Sequence, residues 1–327
     1  MDAPPRTDPP TDPPTDPPTR SRARTAAVVA SVAVLVALIA LAAVLAFRTD
    51  GDPAPAAPAT SATPPRSGAD GGPAPDAAAL LAYDPVDLAA SPVGPDGTVT
   101  FASPGVDGTA HEVAATVTRP TGTPAGCAVV VHGLGGDRSQ MSLVAAPLAL
   151  MGWTTIAPDM AWGTDVGRVL GGGAGDREMR DELVDVRRSI DWLEANVDCR
   201  GRIAYVGVSM GAMGGVPIVA ADDRIGGSIL IVPGAEYRPA MVNAGIDPAD
   251  VDISAWDPVR FAPQIDDRPM LVVNARDDEL IEAANATELR DALPTARRVW
   301  VEGGHAPDAG AVLQIVVEAR ALLDRIG

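Results

Sequence analysis

The sequence predicts an α/β protein in which a mostly parallel central sheet carries helices on both faces. Short apolar segments alternate with helical stretches from about residue 98 to residue 325, and parallel strands require such crossover connections. Several of these segments are apolar throughout, as expected of strands that are buried on both faces. One of them, residues 203–208, runs directly into Gly207-Val208-Ser209-Met210-Gly211 and a small-residue segment typical of a helix start.

Ser209 is the candidate nucleophile. A serine on a sharp turn between a strand and a helix is forced outward, and its neighbours must be small for the turn to close. Gly207 and Gly211 meet that requirement. The alternative is that Ser209 has only a structural role in a turn. The strand before it and the helix after it favour the nucleophile instead.

The region before the sheet divides into three segments. Residues 1–25 are rich in proline, with a Thr-Asp-Pro-Pro repeat, and predict a disordered tail. Residues 26–47 are apolar apart from Ser31, and about 22 residues at a rise of roughly 1.5 Å span a bilayer core of roughly 30 Å. Residues 48–76, rich in Ala and Pro, predict a flexible linker to a globular domain at 77–327.

Residues 26–47 therefore predict one transmembrane helix that acts as an uncleaved signal anchor at the cell membrane. Arg20, Arg22 and Arg24 precede it, so the positive-inside bias places the N-terminal tail in the cytoplasm and the domain outside. A cleaved signal peptide is the alternative, and the small residues before Phe47 offer a cleavage site.

Composition excludes some partners. The net charge of −18 disfavours nucleic acid. With three histidines, two cysteines and neither a Cys-x-x-Cys nor a His-Glu-x-x-His motif, the sequence predicts no metal and no cofactor.

The elements of the domain follow in order. Residues 97–103 and 112–119 predict an opening antiparallel pair of strands. The helix at 176–196 is indicated by apolar residues at three- and four-residue spacing, and Pro217 is expected to kink or end the helix that follows Ser209. Further strands are predicted at 127–131, 153–157, 203–208, 228–232, 270–274 and 298–301, with flanking helices at 142–151 and 309–325.

Polar residues follow the strands at the carboxyl ends, where open α/β sheets carry their chemistry. The segment His132-Gly133-Leu134 follows one strand, Asp277-Asp278 follows another, and Gly303-Gly304-His305 follows the last. The chain order Ser, Asp, His is the one found in the nucleophile-elbow arrangement.

On these residues the domain resembles the α/β-hydrolase superfamily, and most closely its serine esterases and dienelactone-hydrolase-like enzymes. The resemblance implies a triad of Ser209, His305 and Asp278, with Asp277 as the alternative acid one residue away. His305 is the base that the neutral serine needs. The carboxylate would hold the imidazole tautomer.

The resemblance also implies an oxyanion hole formed by the backbone N–H groups of Met210 and Leu134. His132 is expected to be a structural hydrogen-bonding residue in that turn, and His111 a solvated side chain. The one candidate cap, residues 236–257, is short, which favours a small or linear ester.

Cys127 and Cys199 precede strands that are neighbours in the usual order of this fold. Outside the membrane a disulfide between them would persist, whereas offset strand ends would leave two buried thiols.

The sequence thus predicts a membrane-anchored, extracytoplasmic serine hydrolase that cleaves a carboxylic ester through an acyl-enzyme. A thioesterase, an amidase and an acyltransferase use the same triad. The alternative from another class is a non-catalytic binding protein on the same scaffold.

Overall fold

An eight-stranded sheet forms the centre of the computed structural model, which describes residues 75–84, 86–170, 175–251 and 253–326. The strands lie in the order β1-β2-β4-β3-β5-β6-β7-β8. They are β1 Thr98–Pro104, β2 Ala110–Thr118, β3 Gly126–Val131, β4 Trp153–Pro158, β5 Ile203–Val208, β6 Ile225–Ile231, β7 Met270–Ala275 and β8 Arg297–Val301.

The sheet is mostly parallel. Strand β2 runs antiparallel to both β1 and β4, and the remaining strand pairs are parallel. The predicted opening antiparallel pair and the predicted parallel sheet are therefore confirmed. The register pairs Val131 with Gly207, so the segments that follow β3 and β5 leave the sheet side by side.

Helices cover both faces of the sheet. Their bounds are α1 Ala77–Leu80, α2 Ser142–Leu150, α3 Val166–Leu170, α4 Gly175–Asn196, α5 Met210–Ala221, α6 Tyr237–Asn243, α7 Pro258–Phe261, α8 Ala283–Ala292 and α9 Ala309–Leu323. Helices α4 and α5 pack on one face, whereas α2 and α9 pack on the other. Short 3₁₀ turns span Ala161–Gly163, Pro248–Asp250, Ser254–Trp256 and Ala262–Gln264.

The alternation of side chains along each strand divides the core into two layers. In β5, Tyr205 packs into the layer beneath α4 and α5, whereas Ala204 and Val206 pack into the layer on the α2 and α9 side. All three side chains are buried. Because both layers exclude water, the strand is apolar along its whole length, as the sequence analysis proposed.

Helix α4 contributes much of the first layer. The predicted apolar stripe of Leu183, Val186, Ile190 and Leu193 is fully buried, which confirms the periodicity seen in the sequence. The helix packs against β1, β3 and β4.

Strand β6 begins three residues earlier than the predicted start at Ser228. Gly226 and Gly227 concealed this part of the strand, because glycine has low strand propensity. A Cβ atom at Gly227 would lie 2.6 Å from the Ile326 side chain and 2.8 Å from the Pro269 carbonyl oxygen. Glycine is thus needed there for close packing.

Pro217 was expected to kink helix α5 or to end it early. The helix continues to Ala221, so the expectation of an early end is wrong. Proline removes one hydrogen-bond donor and crowds the preceding turn. Helix α5 is buried from Met210 to Val219, and in such a helix tertiary packing contributes more to stability than local propensity does.

Residues 26–47, the predicted transmembrane helix, lie outside the described ranges, as do the tail and nearly all of the linker. Among the helices that the structure does describe, none is both long enough and apolar enough to cross a bilayer.

A disulfide joins Cys127 at the second residue of β3 to Cys199 just before β5, with their Cα atoms 5.1 Å apart. The turn before β5 removes the offset that would have left two thiols. The Arg202 N–H donates to the Cys199 carbonyl at 2.9 Å, and the Cys127 N–H donates to the Arg202 carbonyl at 2.8 Å, so the turn folds Cys199 back beside the start of β3. The bridge closes a loop with a sequence separation of 72 residues.

Loss of this bridge should destabilise the domain. Linking distant residues restricts the unfolded chain, and removing a bridge across a loop of this length costs about 2–4 kcal/mol. We expect urea unfolding of the Cys127→Ser, Cys199→Ser double variant to show a lower midpoint, matching that of the reduced wild type. Equal midpoints for the double variant and the oxidised wild type would show that the bridge contributes no stability.

Candidate active site

Ser209 lies on a sharp turn between β5 and α5. Its backbone has φ 54° and ψ −117°, a conformation that costs a non-glycine residue energy and is kept only where the surroundings impose it. The Ser209 N–H donates to the Ile231 carbonyl at 2.8 Å, and the Ser209 carbonyl accepts from the Met213 N–H at 2.9 Å. Both sides of the turn are therefore fixed, by β6 and by the first turn of α5.

The two glycines of the motif allow the backbone to close around Ser209. A Cβ atom at Gly207 would lie 2.4 Å from the Gly211 carbonyl oxygen, and one at Gly211 would lie 2.5 Å from the Val131 carbonyl oxygen. Either clash would push the start of α5 away from β5 or β3. The buried Tyr205 hydroxyl donates to the Gly211 carbonyl and holds the turn from below.

The His305 side chain links Ser209 to Asp278. Its Nε2 lies 2.8 Å from Ser209 Oγ, and its Nδ1 lies 2.9 Å and 3.0 Å from the two Asp278 carboxylate oxygens. Because an ionised carboxylate can only accept, Nδ1 carries the proton and Nε2 accepts from the Ser209 hydroxyl. The structure thus brings together three residues from the loops after β5, β7 and β8.

Asp278, rather than Asp277, faces the histidine. The Asp278 side chain is 1% exposed, and its Oδ1 also accepts from the N–H groups of Leu280 at 3.0 Å and Ile281 at 2.8 Å. Asp277 is exposed, and its backbone N–H donates to the Gly303 carbonyl at 3.0 Å. The one-residue ambiguity is therefore decided by which side chain the loop turns inward.

The loop that carries His305 is positioned by two further contacts. Gly303 has φ 97°, a region that strongly favours glycine. Glu279 Oε2 accepts a long hydrogen bond, 3.4 Å, from the His305 N–H. A Cβ atom at Gly304 would lie 2.8 Å from the same Glu279 oxygen, so the glycine pair lets the loop approach Glu279.

The two predicted oxyanion donors lie near Ser209. Met210 is the first residue of α5, where the N–H groups have no intrahelical acceptor and the helix dipole favours negative charge. Leu134 lies in the turn after β3, and neither its N–H nor that of Met210 donates to another described residue. A Cβ atom at Gly133 would lie 3.1 Å from Ser209 Cβ, so this turn lies directly against the serine.

His132 supports this turn from inside the protein. It is fully buried, its Nδ1 hydrogen bonds to the Gly133 carbonyl at 2.8 Å, and its Nε2 accepts from the Met160 N–H at 3.0 Å. With one nitrogen donating and the other accepting, the ring is neutral, and burial lowers the pKa of His132. It acts as a structural residue, as the sequence analysis expected.

The His111 side chain is 41% exposed, in agreement with the expectation of a solvated side chain, and it also has a partner that was not expected. Its Nε2 lies 2.9 Å and 3.0 Å from the two carboxylate oxygens of Asp185 on α4, and the hydrogen bond to Asp185 is the main cause of a raised pKa for His111. The sequence showed both residues but could not show that β2 passes beside α4. Within the described ranges, no group of three His, Cys, Asp or Glu side chains has an arrangement that could hold a metal ion.

Comparisons with known proteins agree with this architecture. Esterase YjfP of Escherichia coli K12 is 25% identical over 199 residues, which are 54% of this chain and 78% of that protein. An esterase from Pyrococcus furiosus superposes with a TM-score of 0.55 at 15% identity, over 69% of this chain and 91% of that one. A cold-adapted esterase from an Arctic intertidal metagenomic library superposes with a TM-score of 0.51 at 25% identity, over 74% of this chain and 98% of that one.

The chain has the α/β-hydrolase fold. No protein-family model matches the sequence. The resemblance to serine esterases that the sequence analysis proposed is confirmed, because the curated relative and these structural neighbours of the α/β-hydrolase fold are esterases. They support a serine hydrolase that acts on esters.

Tyr205 and Glu279 were missed from the sequence. Both act on the backbone of the candidate α/β-hydrolase site, Tyr205 at the serine turn and Glu279 at the histidine loop. The one available signal was a tyrosine in an otherwise aliphatic strand. Nothing in the sequence distinguished Glu279 from other loop carboxylates.

Asn substitution at the two neighbouring aspartates should separate their roles. Asp278→Asn presents an amide that can donate to Nδ1, so the histidine is no longer held in the tautomer that accepts from Ser209. We expect acylation by p-nitrophenyl acetate to slow on the order of 10³–10⁴-fold. Asp277→Asn is the matched control and should stay within about threefold of wild type, because its side chain points to solvent. Equal losses for the two variants would contradict the assignment.

Proposed function

We propose that this protein is a membrane-anchored, extracytoplasmic serine hydrolase that cleaves carboxylic esters through an acyl-enzyme. The observation that carries the chemistry is the continuous hydrogen-bonded path from Asp278 through His305 to the Ser209 hydroxyl. The esterase relatives support the ester as the bond that is cleaved.

In the first half of the reaction, Ser209 Oγ attacks the ester carbonyl carbon while His305 Nε2 takes the hydroxyl proton. Negative charge develops on the former carbonyl oxygen, where the N–H groups of Met210 and Leu134 would donate to it. Each such donor contributes about 3 kcal/mol to the transition state. When this tetrahedral intermediate collapses, the bond between the acyl carbon and the alcohol oxygen breaks, and the alcohol leaves with the proton from Nε2.

The second half regenerates the enzyme. Water attacks the acyl carbon and gives a proton to His305 Nε2, and the bond to Ser209 Oγ breaks as that proton returns to the serine. Asp278 stabilises the imidazolium that forms twice in each cycle, and it does not itself take the proton. Thioesterase, amidase and acyltransferase chemistry would use the same steps with a different leaving group or acceptor.

Covalent labelling tests this mechanism. A fluorophosphonate reacts preferentially with a serine whose hydroxyl is activated by a neighbouring base, which takes the proton as the serine attacks phosphorus. We expect one equivalent to bind to the folded wild type and none to Ser209→Ala. A folded wild type that resists labelling would favour a non-catalytic binding protein on the same scaffold.

The extracytoplasmic location rests on two observations. Residues 26–47 form an apolar run preceded by three arginines within residues 20–24, which supports an anchor with its N-terminus in the cytoplasm. The Cys127–Cys199 disulfide is of a kind that persists in oxidising compartments and is rare in the cytosol.

The proposed topology predicts that the full chain stays in the membrane pellet after an alkaline carbonate wash. Protease added to intact cells, after removal of any cell wall or outer membrane, should cut the chain near the linker. Deletion of residues 26–47 should release the domain from the pellet. Full protection from added protease, under conditions in which lysed cells are cut, would contradict the extracytoplasmic placement.

A further inference from the structure

An apolar cleft with a volume of about 440 Å³ opens beside Ser209. One part of it follows a face of the sheet between helices α2 and α9, and its lining also includes Met213 on α5 and Ala240 and Met241 on α6. Its floor includes Val206 on β5 and Ile229 on β6, both nearly inaccessible to solvent. Its walls include Leu148 on α2 and Ile315 on α9. We call it the α2–α9 cleft.

The cleft extends away from the strand ends. Helix α9 begins just after the His305 loop, so Val312 lies near the site and Ala319 lies further down the sheet. Both residues line the cleft, and seven residues at about 1.5 Å each separate them by about 10 Å. Val144 and Met151 line it along α2 over a similar distance. The cleft is therefore a channel about 10 Å long rather than a shallow depression at the rim.

Polar side chains line this channel at one end. These side chains are those of Gln140, Ser209 and His305. Ser209 and His305 follow the carboxyl ends of β5 and β8, and Gln140 lies just before the start of α2. The remaining lining residues are apolar or glycine. A molecule that matches this distribution has one polar, reactive end and one extended hydrocarbon tail.

We infer that the α2–α9 cleft binds the acyl chain of the ester, and that it selects linear acyl chains of medium length. This inference rests on the proposed function, since it requires an ester carbonyl at Ser209. A linear hydrocarbon advances about 1.25 Å per carbon, from a C–C bond of about 1.5 Å and an angle near 111°. A channel of about 10 Å therefore holds about eight carbons.

The acyl group, rather than the alcohol, is assigned to the cleft because of where the cleft begins. Val208 and Val206, one and three residues before the nucleophile on the same strand, both line it. The acyl group is the part of the ester that becomes bonded to Ser209 Oγ in the first half of the reaction and remains there until water releases it in the second. The alcohol departs with the proton that His305 donates, so it is absent from the site during the second half.

A series of p-nitrophenyl esters from acetate to dodecanoate tests the inference with the full-length protein. We expect kcat/KM to rise about fourfold for each methylene that the cleft buries, to reach a maximum near octanoate and to level off or fall beyond it. A parallel series of alkyl acetates, in which the alcohol lengthens instead, should show no comparable rise.

Two variants on α9 provide a matched pair. Ala319 lines the far end of the cleft, whereas Ala321 is exposed on the same helix. Ala319→Phe should fill the far end, so that octanoate loses its advantage and butyrate keeps its wild-type kcat/KM. Ala321→Phe should leave the whole profile unchanged. If Ala319→Phe fails to fold, Ala319→Leu should shorten the preferred chain by a smaller amount.

The outcomes separate this inference from the proposed function. Hydrolysis of acetate and butyrate with no rise along the acyl series would overturn the cleft assignment and leave the esterase in place. A rise along the alcohol series instead would also overturn it, as would identical profiles for the two phenylalanine variants. Failure to hydrolyse any ester, together with failure of fluorophosphonate to label Ser209, would overturn the proposed function and the inference with it.

Discussion

The close approach of strand and helix backbones around Ser209 is the constraint on which the rest of the site depends. Gly211 lies against the Val131 carbonyl and Gly207 against the Gly211 carbonyl, at distances that leave no room for a side chain. Because these approaches hold the serine at a positive φ, its hydroxyl projects above the sheet rather than into the core. The same geometry starts α5 beneath the position where an oxyanion would form, and it brings the turn after β3 against the serine. A single added methyl group would therefore disturb the nucleophile and the candidate oxyanion donors together.

The other two members of the site are held by backbone contacts, which do not depend on the substrate. Asp278 accepts two backbone N–H groups in addition to the histidine, and the histidine loop rests on Glu279 through its own backbone. Each such hydrogen bond contributes only about 1 kcal/mol of net stability. Their value to a catalyst is that the three side chains are already aligned before an ester binds, so little reorganisation is needed during the reaction. The cavity beside them is built in the same way, from a buried sheet face and two helices whose first turns lie beside the site.

Much of this arrangement could be predicted because it follows from local rules. Buried strands are apolar, the helix at α4 has a clear apolar stripe, and the motif around Ser209 requires small residues at fixed positions. Other features depend on distant contacts and escaped prediction. The choice between Asp277 and Asp278 depends on which of them the loop turns inward. The start of β6 was concealed by two glycines whose purpose, the packing of Ile326, is evident only in three dimensions. Pro217 was expected to kink or end a helix that burial instead maintains to Ala221. The exposed His111 was expected to be solvated, but its pairing with Asp185 on α4 was not foreseen.

The α2–α9 cleft is the clearest example of a feature that could not be predicted from the sequence. The short segment at 236–257 pointed to a small or linear ester, because a long cap was missing. The cavity, however, lies along the sheet face, where its residues resemble ordinary core positions. No pattern in one sequence distinguishes a side chain that packs against a neighbour from one that lines a cavity.

The account depends most on Ser209 becoming covalently acylated during turnover. Mass spectrometry of the protein, quenched in acid while it hydrolyses a slow p-nitrophenyl ester, measures this directly. The account predicts a mass increase equal to one acyl group, located on the peptide that contains Ser209. Sustained hydrolysis with unmodified protein, or an acyl group located on another residue, would contradict it.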